Sequence, residues 1–459
     1  MRARYLSWSA VLAVLLITGC DTARTGKHDD CVPVAASGTA RPRDAEATGL
    51  LALGVPKGQV GSFKGAGYVV LVPDYGKGVE PASRQRIDQA SPGVPGDPVS
   101  RGGFGKAVAT GDFDHDGHAD LAVSTTGVGT GSIHPGSVTI VFGARGGSSG
   151  QAVTLAVSKD CWSFGGILSV GDFNNDSFDD LAAECDAGKV QVIYGAAGLR
   201  LRSPERADLD SGPKEPAGIT GLATGDVTGD GYDDLVAETG VDDPADAGYE
   251  INVIAGSARG LTRKSGMDRS PRVENLTDLG VGDVDRDGHA DVVVKNGSEV
   301  TVYPGTARGL NTRGAYIGFR NRGLINSLAV GDVNGDGHAD VALGAAQGVG
   351  GVTAGSVTVL YGGPSGISGT GAQVIAEGKD GAPGVAGDRD DLGMAVALTD
   401  LDGDRRAELA ASAPAESHGR GAVLVLRGTA AGVATRGGVM MCGAPHTSLG
   451  GVLDGRPYP

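Results

Sequence analysis

A nine-residue acidic pattern occurs six times along this chain: an aspartate, an oxygen-bearing residue two places on, an aspartate two places further, usually a glycine, and an acid at the ninth place. Its clearest copies are GDFDHDGHADLAV from Gly111 and GDVDRDGHADVVV from Gly282. Carboxylates at alternate places of a tight loop repel one another unless something neutralises them, so each copy predicts a cation site. The spacing also predicts a fold built from repeats. First aspartates at Asp112, Asp172, Asp226, Asp283, Asp332 and Asp400 lie 60, 54, 57, 49 and 68 residues apart, the period of one supersecondary unit rather than of a domain.

The text around each loop returns with it. A short apolar stretch precedes it (Lys106 to Thr110, Ile167 to Val170, Leu328 to Val330), and another follows (Leu121 to Val123, Leu235 to Ala237, Val341 to Leu343). A third segment, as in Ser137 to Gly143, Lys189 to Gly195 and Ser356 to Gly362, alternates β-branched and polar residues up to a glycine, which predicts a strand with one buried face. A weaker fourth follows at Gln151 to Ala156 or Gln373 to Ala376. Four short antiparallel strands in roughly 50 to 60 residues describe a propeller blade. A solenoid coil is much shorter, and a sandwich has no reason to repeat a metal loop.

A seventh unit survives in part between Arg41 and Gly78: Asp44 and Glu46 stand for the loop, Leu50 to Gly54 for the second strand and Gly67 to Pro73 for the third. Its missing first strand is expected at the far end, where Leu449 to Leu453 resembles Phe104 to Val108 and Leu392 to Val396. The predicted fold is therefore all-β, a seven-bladed β-propeller whose ring is closed by a C-terminal strand joining the N-terminal blade. Closure of this kind removes open sheet edges.

The dipeptides Phe104-Gly105 and Phe164-Gly165, the acidic loop, and Leu409 to Pro414 together resemble the FG-GAP repeat of integrin α-subunit propellers and of many bacterial surface proteins. The resemblance covers Arg41 to Pro459; its first motif is degraded at Ile219 to Leu222, Leu276 to Leu279 and Ile325 to Leu328. It implies calcium held by side chains at places one, three, five and nine and by the carbonyl at seven, and hard oxygen donors in a flexible loop suit calcium better than magnesium. The implied ligands are Asp112, Asp114, Asp116, His118 and Asp120; Asp172, Asn174, Asp176, Phe178 and Asp180; and Asp226, Thr228, Asp230, Tyr232 and Asp234. The remaining three sets are Asp283, Asp285, Asp287, His289 and Asp291; Asp332, Asn334, Asp336, His338 and Asp340; and Asp400, Asp402, Asp404, Arg406 and Glu408. Glycine gives way to Ser177 in the second loop and to Arg405 in the sixth, so five sites are expected with the sixth in doubt. An EF-hand is excluded, because Val123 stands where its twelfth-place acid belongs and strands flank the loop.

The formal net charge of −16 disfavours a nucleic-acid partner. Arg2 and Arg4, the apolar run Leu6 to Ile17 and then Thr18-Gly19-Cys20 resemble a bacterial lipoprotein signal, which implies lipid attachment at Cys20. The expected division is a signal peptide over 1–19, a tether over 20–40 and a propeller over 41–459. Four cysteines remain, Cys31, Cys161, Cys185 and Cys442, which allow three pairings in an exported protein. Cys161 and Cys185 flank one hairpin and suit a local bridge; Cys31 and Cys442 would then tie the chain ends.

Catalytic signals are weak. Gly146 to Gly150 matches a nucleophile-elbow pattern without its strand-to-helix setting. Of eight histidines, His115, His118, His289 and His338 fall inside the loops, their side chains expected to face solvent, and His28, His134, His418 and His446 are scattered. The sequence thus predicts no catalytic residue. It predicts a monomeric, calcium-binding module on the outer face of the cell membrane that recognises a protein or glycan; the alternative is a hydrolase or lyase with its site in the propeller channel.

Overall fold

A computed structural model describes residues 32–33 and 49–457 apart from 75–77, 126–135, 145–146, 156–160, 162–163, 186–187, 200–205, 211–215, 242–247, 263–270, 274–277, 321–323, 347–353, 388, 417–419, 444–448 and 450–451. The signal, all of the tether but Val32–Pro33, Asp44, Glu46, Cys20, Cys31 and the four scattered histidines lie outside the described residues.

Within them the chain is an all-β propeller of small antiparallel sheets. The second to sixth sheets each contain four strands in sequence order, beginning with Val108–Gly111, Phe164–Gly171, Pro216–Gly225, Asp278–Gly282 and Ser327–Gly331. The seventh runs Val396–Thr399, Glu408–Ala413, Ala422–Leu426, Val439–Cys442, and adds Val32–Pro33 in parallel on its outer edge. In the first sheet the order is Val452–Pro457, Gly49–Val55, Tyr68–Asp74, Gln85–Ile87, so its innermost strand comes from the far end of the sequence. That strand begins at Val452 rather than Leu449. Leu449 is instead the buried plug that precedes it, matching Phe104 and Leu392, and its amide donates to the Arg420 carbonyl as theirs donate to Ala66 and Ala354. The first strands of successive sheets lie side by side, and Val452–Pro457 touches both Val396–Thr399 and Val108–Gly111.

Apolar packing lies between sheets. Seven buried clusters each join two neighbours: Val138, Ile140 and Phe142 of the second sheet with Val170, Leu181 and Ala183 of the third, or Leu51, Leu53 and Val70 of the first with Ala410, Val423 and Met441 of the seventh. Each sheet consequently buries both faces, which corrects the expectation of one. Thr139, Gln191 and Thr358, on the polar side of the alternation, are buried as well. Thr139 reaches the Thr154 hydroxyl at 3.0 Å, the kind of pairing a buried hydroxyl needs.

In the FG dipeptide the large residue is buried (Phe104, Phe164 and Leu392) and the glycine has positive φ (88° at Gly105, 90° at Gly393). A Cβ on Gly105 would press on the Tyr68 carbonyl, and one on Gly393 on the Ser356 carbonyl, so the motif is a plug under the preceding sheet.

Cys161 and Cys185 are bonded, across 24 residues of chain. Closing a loop of that length removes denatured-state entropy worth about 3 kcal/mol, so replacing both cysteines with alanine is expected to lower the denaturant midpoint and, because the unfolded chain then expands, to steepen the slope. Cys442 is also disulfide-bonded; Cys31, its expected partner, is outside the described residues, and the neighbouring pairing of Pro33 with Cys442 brings the chain start to this edge.

Candidate metal centres

Each acidic loop joins the first and second strands of its sheet, and all six share one backbone. Place four is left-handed in every copy (His115 53°, Asn175 54°, Gly229 68°, Arg286 61°, Gly335 74°, Gly403 76°), as is place six (Gly117 82°, Ser177 71°, Gly231 87°, Gly288 90°, Gly337 84°, Arg405 68°). Glycine stands at place four in three of the six copies and at place six in four. The first aspartate fixes the turn: the amides of Asp116 and Gly117 donate to Asp112 at 3.0 Å each, and those of Asp287 and Gly288 to Asp283 at 3.1 and 2.9 Å.

The ninth-place acid is buried and anchors the blade. Asp120 accepts from the Phe113 amide (3.0 Å) and from the Gly143 amide (2.6 Å) at the end of the third strand. Asp180 pairs likewise with Phe173 and Gly195, Asp291 with Val284 and Gly305, Asp340 with Val333 and Gly362, and Asp234 with Thr228 and Gly256. These glycines are functional residues that strand patterning alone does not mark. A Cβ on Gly143, Gly195, Gly256, Gly305 or Gly362 would collide with the carbonyl at place eight of its own loop, which is why glycine closes the third strand each time.

Burial pushes the ninth-place carboxyls up, against the pull of those amides: Asp120 and Asp180 to about 8, and Asp234, Asp291 and Asp340 to about 6. Asp112 and Asp285 are also raised, chiefly by burial and further by their acidic neighbours. Such a loop gains when a cation replaces the lost solvation.

Ligand oxygens of Asp112, Asp114 and Asp120 lie within 4.8 Å of one another, as do those of Asp283, Asp285 and Asp291. These are places one, three and nine, and oxygen ligands so spaced fit calcium, whose Ca–O distances are about 2.3–2.6 Å. Places five hold their own loops instead: Asp116 accepts from the His118 amide and Asp287 from that of His289. In the second, third and fifth loops Asn174, Thr228 and Asn334 supply place three with a neutral oxygen.

The sixth loop differs in its charge balance. Asp400, Asp402 and Asp404 converge, but Asp402 is paired with Arg427 and Asp404 with Arg406 at 3.0 Å. Its ninth acid, Glu408, is turned to the Leu401 amide (2.8 Å) and is pushed up to about 8 by burial, with Asp74 and Asp400 adding to it. The chain's own arginines thus compete for this loop.

The loops are also stitched together. The amide at place eight of each loop donates to the first-place carbonyl of the loop before it: Asp179 to Asp112, Asp233 to Asp172, Ala290 to Asp226, Ala339 to Asp283 and Ala407 to Asp332. Side chains follow suit. His115 stacks near Phe178 with ring centroids 5.4 Å apart, His289 packs on Gly229, and Arg286 caps the Asp336 carbonyl. His118, His289 and His338 are therefore half-buried against protein, where solvent was expected, because adjoining blades bring the loops into contact.

Sheets of this order, with an acidic hairpin between first and second strands and an FG plug before it, define an FG-GAP-type β-propeller. The FG-GAP repeat model matches residues 104–141, 164–193 and 392–426, and the FG-GAP-like repeat model matches 283–343; the chain carries FG-GAP repeats. It is 33% identical over 127 residues to integrin alpha-3 of Mus musculus, covering 26% of this chain and 12% of that one. It is also similar to phosphatidylinositol-glycan-specific phospholipase D, at 34% over 119 residues in Bos taurus (24% of this chain, 14% of that one) and 32% over 172 residues in Rattus norvegicus (36% and 20%). The chain thus spans a fifth or less of the length of these curated relatives. Among solved structures, that of BBS1N in complex with ARL6DN aligns over 78% of this chain and 93% of that one (TM-score 0.44, 12% identity). An Agrocybe aegerita protein recognising non-reducing terminal N-acetylglucosamine aligns over 93% and 96% (TM-score 0.48, 14% identity).

Proposed function

We propose that this chain is a calcium-stabilised interaction module: a closed ring of seven blades, held to the outer face of the bacterial membrane by lipid at Cys20, that binds a protein or glycan and does no chemistry itself. The observation that carries it is the run of six like-folded acidic loops at one end of the blades, linked amide to carbonyl. Cations there rigidify one face and leave the opposite face for recognition. Ring closure is supported by Val452–Pro457, which pairs with Gly49–Val55 and touches the first strands on both sides. The extracytoplasmic address is supported by the Cys161–Cys185 disulfide and by similarity to integrin alpha-3. No helix among the described residues is long and apolar enough to cross a membrane; the proposed attachment rests on Cys20 and the residues before it.

Two measurements test this. Replacing Cys20 with alanine in the native host should move the protein from the membrane fraction to the soluble exported fraction; retention on the membrane overturns the lipid anchor. The purified calcium-loaded protein should bind a defined ligand on a glycan or surface-protein array in a calcium-dependent way. Turnover of a polysaccharide or lipid substrate by the same preparation would overturn the non-catalytic reading.

A further inference from the structure

Between the sixth and seventh sheets, away from the acidic loops, three more acids come together. Glu377 follows the outer strand Ser368–Ile375 of the sixth sheet; Asp390 precedes Val396–Thr399, and Glu416 follows Glu408–Ala413 of the seventh. The loop of Asp400 joins the other ends of those last two strands, so the cluster sits on the opposite face of the propeller. Ligand oxygens of the three lie within 4.8 Å of one another, and the residues are 5%, 8% and 8% exposed. Both carboxylate oxygens of Glu377 are buried without a hydrogen-bond partner. Asp390 by contrast is held, its Oδ2 accepting from the Gly387 amide and its carbonyl from the Ala415 amide.

We propose that Glu377, Asp390 and Glu416 form a separate site for a hard divalent cation, calcium in the first instance, that clamps the sixth sheet to the seventh. Three carboxylates this close in a dry setting cannot all stay ionised unaided. They have two ways out, a shared proton or a cation. A shared proton would place Glu377 in a short hydrogen bond with a neighbouring acid, and it makes none. Oxygens up to about 5 Å apart are what opposite ligands of one calcium ion show. The backbone is also shaped to hold Glu377 in place: at Gly384, with φ at 98°, a Cβ would approach Glu377 Oε2 to 3.2 Å.

The repeat does not require these acids. By the plug register that aligns Leu392 with Phe104, Gly102 stands where the seventh sheet has Asp390. Strand pairing of Ile375 with Val357 and of Ile87 with Val69 puts Gln89 in the place of Glu377. The equivalent junction of the first and second sheets therefore has neither carboxylate, and among the described residues no other junction brings three such acids together away from the acidic loops. It does not depend on the acidic loops being filled.

Native mass spectrometry of the full chain in calcium chloride should show one bound ion fewer in Glu377→Gln than in the wild type, whereas Asp285→Asn should lose its ion from the loop instead. The melting temperature supplies a sign: in calcium, Glu377→Gln should melt below the wild type, and in chelator above it, because the substitution then only relieves repulsion. An unchanged ion count, or a higher melting temperature in both buffers, overturns the site. Wild-type crystals soaked in manganese chloride give an independent reading. An anomalous peak among the three carboxylates supports the proposal; its absence while the loop of Asp283 is occupied refutes it.

Discussion

Stripping calcium from the purified protein is expected to lower its melting temperature, with a larger drop near pH 8 than near pH 5. A ligand that binds only the folded state stabilises it by about 2.7 kcal/mol per site at 100 times its dissociation constant, so a few filled loops give a shift on the order of 10 °C. The pH dependence follows from the ninth-place acids. Their folded-state pKa lies above the ordinary value of 3.8, at about 6 for Asp234, Asp291 and Asp340 and about 8 for Asp120 and Asp180. Without a cation these groups cost nothing below the unfolded value, where both states are protonated. The cost grows as pH rises and is complete above the folded values, so the calcium-free protein loses stability from about pH 4 to about pH 8. With calcium the carboxylates are bound as anions, and it is acid that weakens the protein, by proton competition. Scanning calorimetry across that range, with and without chelator, checks both slopes. Parallel curves would mean that the loops are turns and nothing more.

Asp291→Ala and Asp285→Ala, six residues apart in one loop, should behave as different kinds of mutation. Asp291 is 2% exposed and accepts from the amides of Val284 and Gly305 at 3.1 and 3.0 Å. Alanine leaves both buried donors unpaired, at about 1–3 kcal/mol each, so the variant should lose roughly 2–6 kcal/mol even in chelator. Asp285 is a half-exposed place-three oxygen whose partner is the Asp287 amide of its own turn at 3.2 Å. Its removal should be neutral or slightly stabilising in chelator, where it relieves repulsion from Asp287 and Asp283, and destabilising only when calcium is present. Urea melts of the two variants in both buffers give four midpoints. Equal losses in chelator would show that the ninth-place acid has no anchoring role of its own.

Much of this was legible from the chain, and for a definite reason. Place-one, place-three and place-nine acids announce themselves because each must supply an oxygen at a fixed step along a short loop, and a local constraint is written in local text. The third strands were legible for the same reason, their β-branched residues suiting an extended backbone. The role of Gly143 and its counterparts was not, since the carbonyl that excludes a Cβ there belongs to a loop on the far side of the second strand. Nor was the burial of Thr139, Gln191 and Thr358: the alternation of polar and apolar side chains describes one strand and is silent about a second sheet stacked on the other face. The loop's own text points His289 to solvent, because Gly229, on which it packs, lies in the preceding blade.

The sequence by itself determined the repeat, its all-β character, the acidic loops with most of their oxygen donors, and the return of the C-terminus to complete the first sheet. Each of these rests on spacing within one unit or on likeness between units. Only the tertiary structure decided what happens between units: which carbonyl each loop hands to the next, how Arg427 and Arg406 claim the sixth loop, and how Glu377, Asp390 and Glu416 meet at one junction. Those contacts join residues from separate strands or blades, and their geometry depends on how whole sheets pack, which no residue's immediate neighbours in the chain record.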